Sequence, residues 1–516
     1  MNKKILCVAS LLTILTLTSC GGGGSENTGD GTTSGGGYTG PTKEIVVDGG
    51  GDIGNYNSTP SMTESASNQY PYNTLETLCK EWEKTHPGYK VKINRTSSAG
   101  NREVLLPQLK QGTSPHIIYQ NGNVVNTDLG RDYYVDLTDY LNAPSPYLAD
   151  NANWATVYNA DELAATQAAD GHYYYVNMEK IPVCFMYNKT LLEKAGVANP
   201  ESINTYGELV AAMTKVDDYA KTLGDAGVNV KAYSTTYTWY QIAMESNLFS
   251  DLMESGDVLR KNGVVDTEEL CRLYAKGLYN PGINAANESD TFENNKFYEY
   301  IRLIENLDKH KAVASYDCEA NWVLGNLAFM EVTGKQLRKF FKNSNIKFDW
   351  GTIAFPEITK EDSSYAAKPV VRGTAGLATS WWISKRAKND GTVEACVDLL
   401  QYLTAPEQNN RMVGDLKGGI PLNPSDDFEL ASYLQPLLAT YNSDIAEMKE
   451  GKRVVFNAFN SWAVMGTSYS NLFIRTMQEV DAGTRSSKQA TVLLSQSLKN
   501  TVASYRVEFE YDESKW

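Results

Sequence analysis

The stretch from Gly171 to Gly196, GHYYYVNMEKIPVCFMYNKTLLEKAG, limits the fold more than any other part of the chain. A polar turn, Asp170-Gly171-His172, opens it, and an apolar and aromatic run follows that Asn177 to Lys180 interrupt. A second run, Ile181 to Tyr187, then leads into a short helix at Asn188. Two buried-type runs with a polar break between them read as one strand leaving a sheet and a second beginning in another. A chain that does this crosses between two lobes. Asn188 can cap the helix, Leu191, Leu192 and Ala195 share one of its faces, and Gly196 supplies the φ freedom a helix end uses.

Length agrees with that reading, because 516 residues are too many for one compact core and suit two large lobes. The formal charge of −15 excludes a nucleic acid or other polyanion as a partner of the surface as a whole. At the start, Lys3 and Lys4 precede an apolar run, Ile5 to Thr18, and Leu17-Thr18-Ser19-Cys20 matches a bacterial lipobox. So short an apolar run is a signal peptide, residues 1–19, and not a membrane span. Cys20 is the expected lipidation site, with acyl chains holding the body at the membrane. Residues 20–42 are Gly-, Ser- and Thr-rich and read as a tether with a reach of about 25 Å. Cys79, Cys184, Cys271, Cys318 and Cys396 remain, an odd number without a CxxC spacing, and read as small buried apolar residues.

In order, the pattern predicts a strand at Glu44–Asp48, a helix at Thr74–Thr85, a strand at Tyr89–Asn94, a helix at Arg102–Gln111 and a strand at His116–Tyr119. Strand and helix alternate, which predicts a mostly parallel sheet. Gly49 to Gly54 satisfies GxGxxG after a strand, but Asn55 to Pro60 is loop chemistry and not a helix, so a dinucleotide site is not expected. No cofactor or metal is expected, since His86, His116, His172 and His310 lack ligand spacing and read as surface or turn residues. Asn121 and Asn123 lie in the loop after the third strand, where open α/β sheets bind ligands; they suit a sugar hydroxyl, or equally a turn. Thr205 to Glu208 is a capping box, and Val393–Leu403 and Ser486–Leu498 are helices.

Several of these segments carry a resemblance. Tyr174 and Met186-Tyr187-Asn188-Lys189-Thr190-Leu191-Leu192-Glu193-Lys194-Ala195-Gly196 resemble the mid-chain signature of the extracellular solute-binding proteins of carbohydrate ABC importers, with the maltose-binding proteins as relatives. Leu78 to Val91, Leu109 to Ile118, Asp136 to Leu141, Asn321 to Met330, Asp349 to Pro356, Thr404 to Gln408 and Gly418 to Pro421 resemble further family segments in the same order. The chain departs from the pattern in lacking the usual proline near Val176, and in having His116 and Gln120 where an Asp and often an aromatic ring stand.

The resemblance implies an α/β fold of two lobes, each a mostly parallel sheet flanked by helices, with hinge crossovers near Glu179 to Pro182 and Ile353 to Pro356. Lobe 1 is expected at 43–180 and 352–403, lobe 2 at 181–351 and 404–516. It also implies a carbohydrate ligand, an oligosaccharide, delivered to ABC permease subunits by a monomeric, lipid-anchored receptor on the extracytoplasmic face of the membrane. Trp239, after Tyr237 at a helix start, is similar to a sugar-stacking position, and Trp462 to a second, unless either is a core tryptophan. Asp52 resembles a hydroxyl-binding Asp in the first loop, and Arg372 opens a Gly-rich loop that contacts ligand in relatives, unless it forms an ordinary salt bridge. Aromatic faces covering the C–H side of a sugar, with amides, carboxylates and Arg around its rim, suit binding and not catalysis. The alternative is a surface lipoprotein glycoside hydrolase, whose two carboxylates no sequence pattern reveals.

Overall fold

The computed structural model describes residues 40–516 except 52–55, 66–67, 69, 96–99, 280, 282–291, 293–294, 314 and 426–427. The signal peptide, Cys20, nearly all of the tether, and Asp52 lie outside the described residues.

Eight strands build the scaffold: β1 (Lys43–Asp48), β2 (Tyr89–Asn94), β3 (Ile117–Tyr119), β4 (Tyr175–Asn188), β5 (Lys231–Ser234), β6 (Leu327–Thr333), β7 (Trp350–Ile353) and β8 (Thr374–Ile383). Their order is β2-β1-β3-β8-β4-β6-β5, with β7 also on β4. The pairs β1·β2, β1·β3 and β5·β6 are parallel, and β4 and β8 run antiparallel to their neighbours. Helices Thr74–Thr85 and Arg102–Gln111 stand at their expected bounds. Asn188 accepts the Leu191 N–H at 2.9 Å, Gly196 has φ +82°, and the Thr205–Glu208 capping box forms.

The polar break inside the organising stretch is not a break in the backbone. β4 is one strand of 14 residues, buried throughout. Its first half pairs β8 from Tyr175↔Trp382 to Pro182↔Thr374, with a register shift between Lys180 and Pro182. Its second half pairs β6 from Val183 and β7 from Phe185. The polar side chains tolerate burial because each has a partner. Asn177 donates to Ser380 Oγ at 3.2 Å; Glu179 accepts from Tyr56 Oη at 2.6 Å and from the Thr379 hydroxyl. Lys180 Nζ donates to the Leu422 carbonyl and lies 5.1 Å from the centre of the Tyr441 ring.

Two principal cores result. The first holds Ile45, Val47, Trp82, Ile117, Trp154, Trp381 and Leu399, with Ile118, Tyr134 and Trp382 on the other face of its strands. In the second, the period of two along β4 sends Val183, Phe185 and Tyr187 to one cluster and Cys184 and Met186 to another. Ile353, Phe355, Ile358 and Val370 pack in the second core, whereas Met412, Leu416 and Leu422 pack in the first. Between Val370 and Leu422 the chain contributes Trp381, Ile383, Leu399 and Met412 to the first core, while Ile420 packs with Cys184 and Met186 in the second. Hydrophobic patterning marks what is buried, not which of two adjoining cores receives it.

The five cysteines are free and buried, and burial pushes the Cys271 and Cys396 thiols up to about 12. Each histidine faces an aspartate: His86–Asp398, His116–Asp390, His172–Asp136 and His310–Asp217, at 2.6 to 3.2 Å. His116 is buried, not a surface residue, because it also accepts the Val46 N–H at 3.0 Å. Among the described residues no three His, Cys, Asp or Glu side chains form a metal-binding group.

Candidate functional site

Where β4 and β8 run together between the cores, Ile181 and Ala378 form a small apolar platform, and the half-buried Trp239 ring packs against it with Ala375. Local chemistry fixes that ring. β5 ends at Ser234, Thr235 Oγ1 accepts the Tyr237 N–H at 2.8 Å to tighten the turn, and the helix Trp239–Phe249 starts at the indole. Glu331, buried on β6, accepts the Tyr240 N–H at 3.1 Å and Tyr233 Oη at 3.2 Å. A carboxylate there satisfies one of the unpaired amides of a helix start and complements its dipole. Burial nevertheless raises the Glu331 pKa, with these hydrogen bonds opposing.

Tyr237 Oη accepts a hydrogen bond from the Gln336 amide, in the first turn of the helix Gly334–Phe341. Trp239 thus stands at the platform between the cores on a helix fixed by Glu331, and Tyr237, two residues before it, is held by Gln336. Sequence reading missed both partners. Their only signal was a charge in the apolar run Leu327–Thr333, where Glu331 stands at a buried position.

The other expected site residues stand apart from this pair. Trp462 is inside the second core, 6% exposed, its ring stacked on Phe473 at 5.3 Å and 7°. Arg372 is an ion-pair residue: Nε and Nη2 donate to Asp444 at 2.8 and 3.1 Å, Nη1 donates to Asn204 at 2.6 Å, and Glu357 lies 3.0 Å away. Arg453 joins the same carboxylates. Asn121 and Asn123 are exposed, and Asn121 Oδ1 accepts the Asn123 N–H at 3.1 Å as a turn cap. The preceding Gln120 faces inward, to Arg102 at 2.6 Å and Tyr134 at 2.7 Å. At the carboxyl end of β1, burial lifts the Asp48 carboxyl to about 7.

A further contact links the two sides. Glu162 lies in the helix Ala160–Ala164, whose Leu163 belongs to the first core. Its Oε2 accepts Tyr441 Oη at 2.6 Å from the helix Gln435–Lys449.

Compared with known proteins, the sequence profile of the bacterial extracellular solute-binding proteins matches residues 65–410. The chain belongs to that family. No curated relative matches significantly by sequence. Solved structures show the same two-lobed fold for this solute-binding protein. An ABC substrate-binding protein from Listeria monocytogenes, in complex with cycloalternan, is 17% identical over 90% of this chain and 99% of its own, with a TM-score of 0.56. A cyclic alpha-maltosyl-1,6-maltose binding protein from Arthrobacter globiformis is 16% identical, with 90% and 99% covered and a TM-score of 0.55. Apo RafE from Streptococcus pneumoniae is 15% identical, with 90% and 100% covered and a TM-score of 0.55.

Proposed function

We propose that this solute-binding protein captures a carbohydrate, an oligosaccharide, in a slot between its two lobes and delivers it to the permease subunits of an ABC importer. One observation carries the reading: the half-buried Trp239 ring lies on the Ile181–Ala378 platform between the cores, and Gln336 holds the hydroxyl of Tyr237, two residues before it in the chain. An indole face flanked by hydroxyl and amide groups matches a sugar's apolar C–H face and polar rim. The solved neighbours that name cycloalternan and a cyclic maltosyl-maltose support the ligand class.

In this reading Trp239 and Tyr237 contact the ligand first. The Asn121–Asn123 loop reaches it from lobe 1 on closure, and Asp52 is a further ligand contact. Trp462 and Arg372 support the lobe 2 wall from behind. Lobe 1 comprises residues from 43 to the middle of β4 and from 374 to 422; lobe 2 takes the rest of β4 to Val370 and the chain after Leu422. The mature chain is a monomer, held by lipid on Cys20 at the extracytoplasmic face of the membrane. Closure is a population shift that the ligand drives only through its higher affinity for the closed form.

Titration of the mature protein with a panel of oligosaccharides, followed by calorimetry and product analysis, tests the proposal. Saturable binding without turnover supports it. Turnover identifies a hydrolase, and no binding to any saccharide rejects the ligand class.

A further inference from the structure

Resting on that reading, an arginine that a ring from the other lobe covers points to the charge of the ligand. Arg338 lies in the helix Gly334–Phe341, two residues beyond the Gln336 that holds Tyr237. It is half-buried, yet among the described residues its guanidinium has no hydrogen-bond acceptor and no carboxylate partner. The other well-shielded arginines differ. Arg102, Arg260, Arg372 and Arg453 each sit on at least one carboxylate, and Arg272 donates to the Ser255 carbonyl. Around Arg338 the interacting groups are phenols, Tyr70, Tyr433 and Tyr72, and burial lowers its pKa. Five guanidinium donors without an acceptor are costly to bury, so such a group is kept where something else supplies the acceptor.

What covers it comes from the other lobe. Tyr56 and Tyr72 are rooted in the first core, ring edge to ring face at 6.1 Å, and the Thr59 N–H donates to the Tyr72 carbonyl at 2.8 Å to close the base of a loop. From this loop Tyr70 lays its ring over Arg338, 4.2 Å from the guanidinium carbon, and Glu64 pairs with Lys342 at 2.9 Å. Lys342 also lies 5.1 Å from the Tyr70 ring. Two cations one helical turn apart thus meet the Tyr70 ring, and Glu64 pairs with one of them, Lys342.

We propose that Arg338 selects the ligand class: the saccharide taken into the slot carries an anionic group, a carboxylate or a sulfate, that accepts from this guanidinium beneath Tyr70. A planar carboxylate takes two parallel N–H donors, and the aromatic cover excludes water from the pair. The charge serves selection, since a neutral sugar entering the same place leaves the donors unmatched.

The test is a glycan array of uronate-containing, sialylated, sulfated and neutral oligosaccharides, followed by calorimetry. For a uronate hit, its methyl ester gives the same size without the charge. The expected result is that the tightest binder is anionic, that esterification or R338Q weakens it by about thirtyfold or more, and that R338K recovers part of the loss. Uronates against sulfated sugars identify which anion is read. A neutral tightest binder, equal affinity for acid and ester, or R338Q binding like the wild type overturns the proposal and leaves the saccharide receptor standing. Failure of every saccharide to bind overturns both. Thermal melting of R338Q and R338K within about 2 °C of wild type confirms that the loss is not unfolding.

Discussion

The surroundings of Trp462 and of Trp239 use the same local device to different ends. Each tryptophan stands at a helix start beside a buried glutamate that accepts a backbone N–H: Glu245 from Ser461 at 3.1 Å, and Glu331 from Tyr240 at 3.1 Å. Around Trp462 everything else is core, with Phe473 stacked on the ring and Tyr300 and Phe459 in the same cluster. Around Trp239 the neighbours are the Ile181–Ala378 platform and Phe456, and part of the ring stays open. The difference teaches that a ring's role follows from what adjoins its far face, not from the motif that introduces it.

The largest expected effect is on folding, at the sealed site. W462A should lower unfolding free energy by about 3–5 kcal/mol in denaturant titrations, as for other buried large-to-small changes. W239A, on a half-exposed ring, should cost about 1–2 kcal/mol while weakening saccharide binding by about tenfold or more. Equal folding losses in the two variants, with binding intact in W239A, would break the comparison.

A second contrast comes from charge. Arg372→Ala leaves Asp444 and Glu357 with Arg453 as their remaining cation in a buried cluster, and should cost about 3 kcal/mol by the same titration. Glu245 then adds a pH signature. Burial holds its carboxyl near pH 8, opposed by hydrogen bonds from Ser461. The native state therefore keeps a proton that the unfolded state loses from about pH 4.5 upward. Its contribution is fully present below about pH 4.5 and is lost as pH rises to about 8. Denaturant midpoints measured across that window should decline more steeply for wild type than for E245Q.

The smallest effect belongs to the contact between lobes. Y441F removes the hydrogen bond to Glu162 and should lower stability by about 1 kcal/mol. Small-angle scattering without ligand should show a slightly larger radius of gyration if the bond favours the closed arrangement. An unchanged radius confines the bond to local packing.

Much of the fold was legible because its signals are local. The spacing of Leu75, Leu78, Cys79 and Trp82 defined a helix and its buried face, and Asn188, Thr205 and Gly196 marked helix ends by their own chemistry. What was not legible depends on groups distant in sequence. Asn177, Glu179 and Lys180 read as a polar break between two strands because their partners, Ser380, Tyr56 and Leu422, come from elsewhere in the chain. The candidate site was half legible for the same reason: Trp239 and Tyr237 stood out by type, whereas Glu331 and Gln336 matter only through what folding brings beside them.

The continuity of β4 has a mechanical consequence. β4 stays one strand of 14 residues, paired to β8 up to Pro182 and to β6 from Val183, so this crossing is carried by paired backbone and not by a loop. Reorientation there is spread as torsion along the ribbon, concentrated at Pro182, which cannot donate to a ladder and stands where the register shifts. Closure at this crossing is expected to resemble the twisting of a torsion bar more than the swing of a door on a pin.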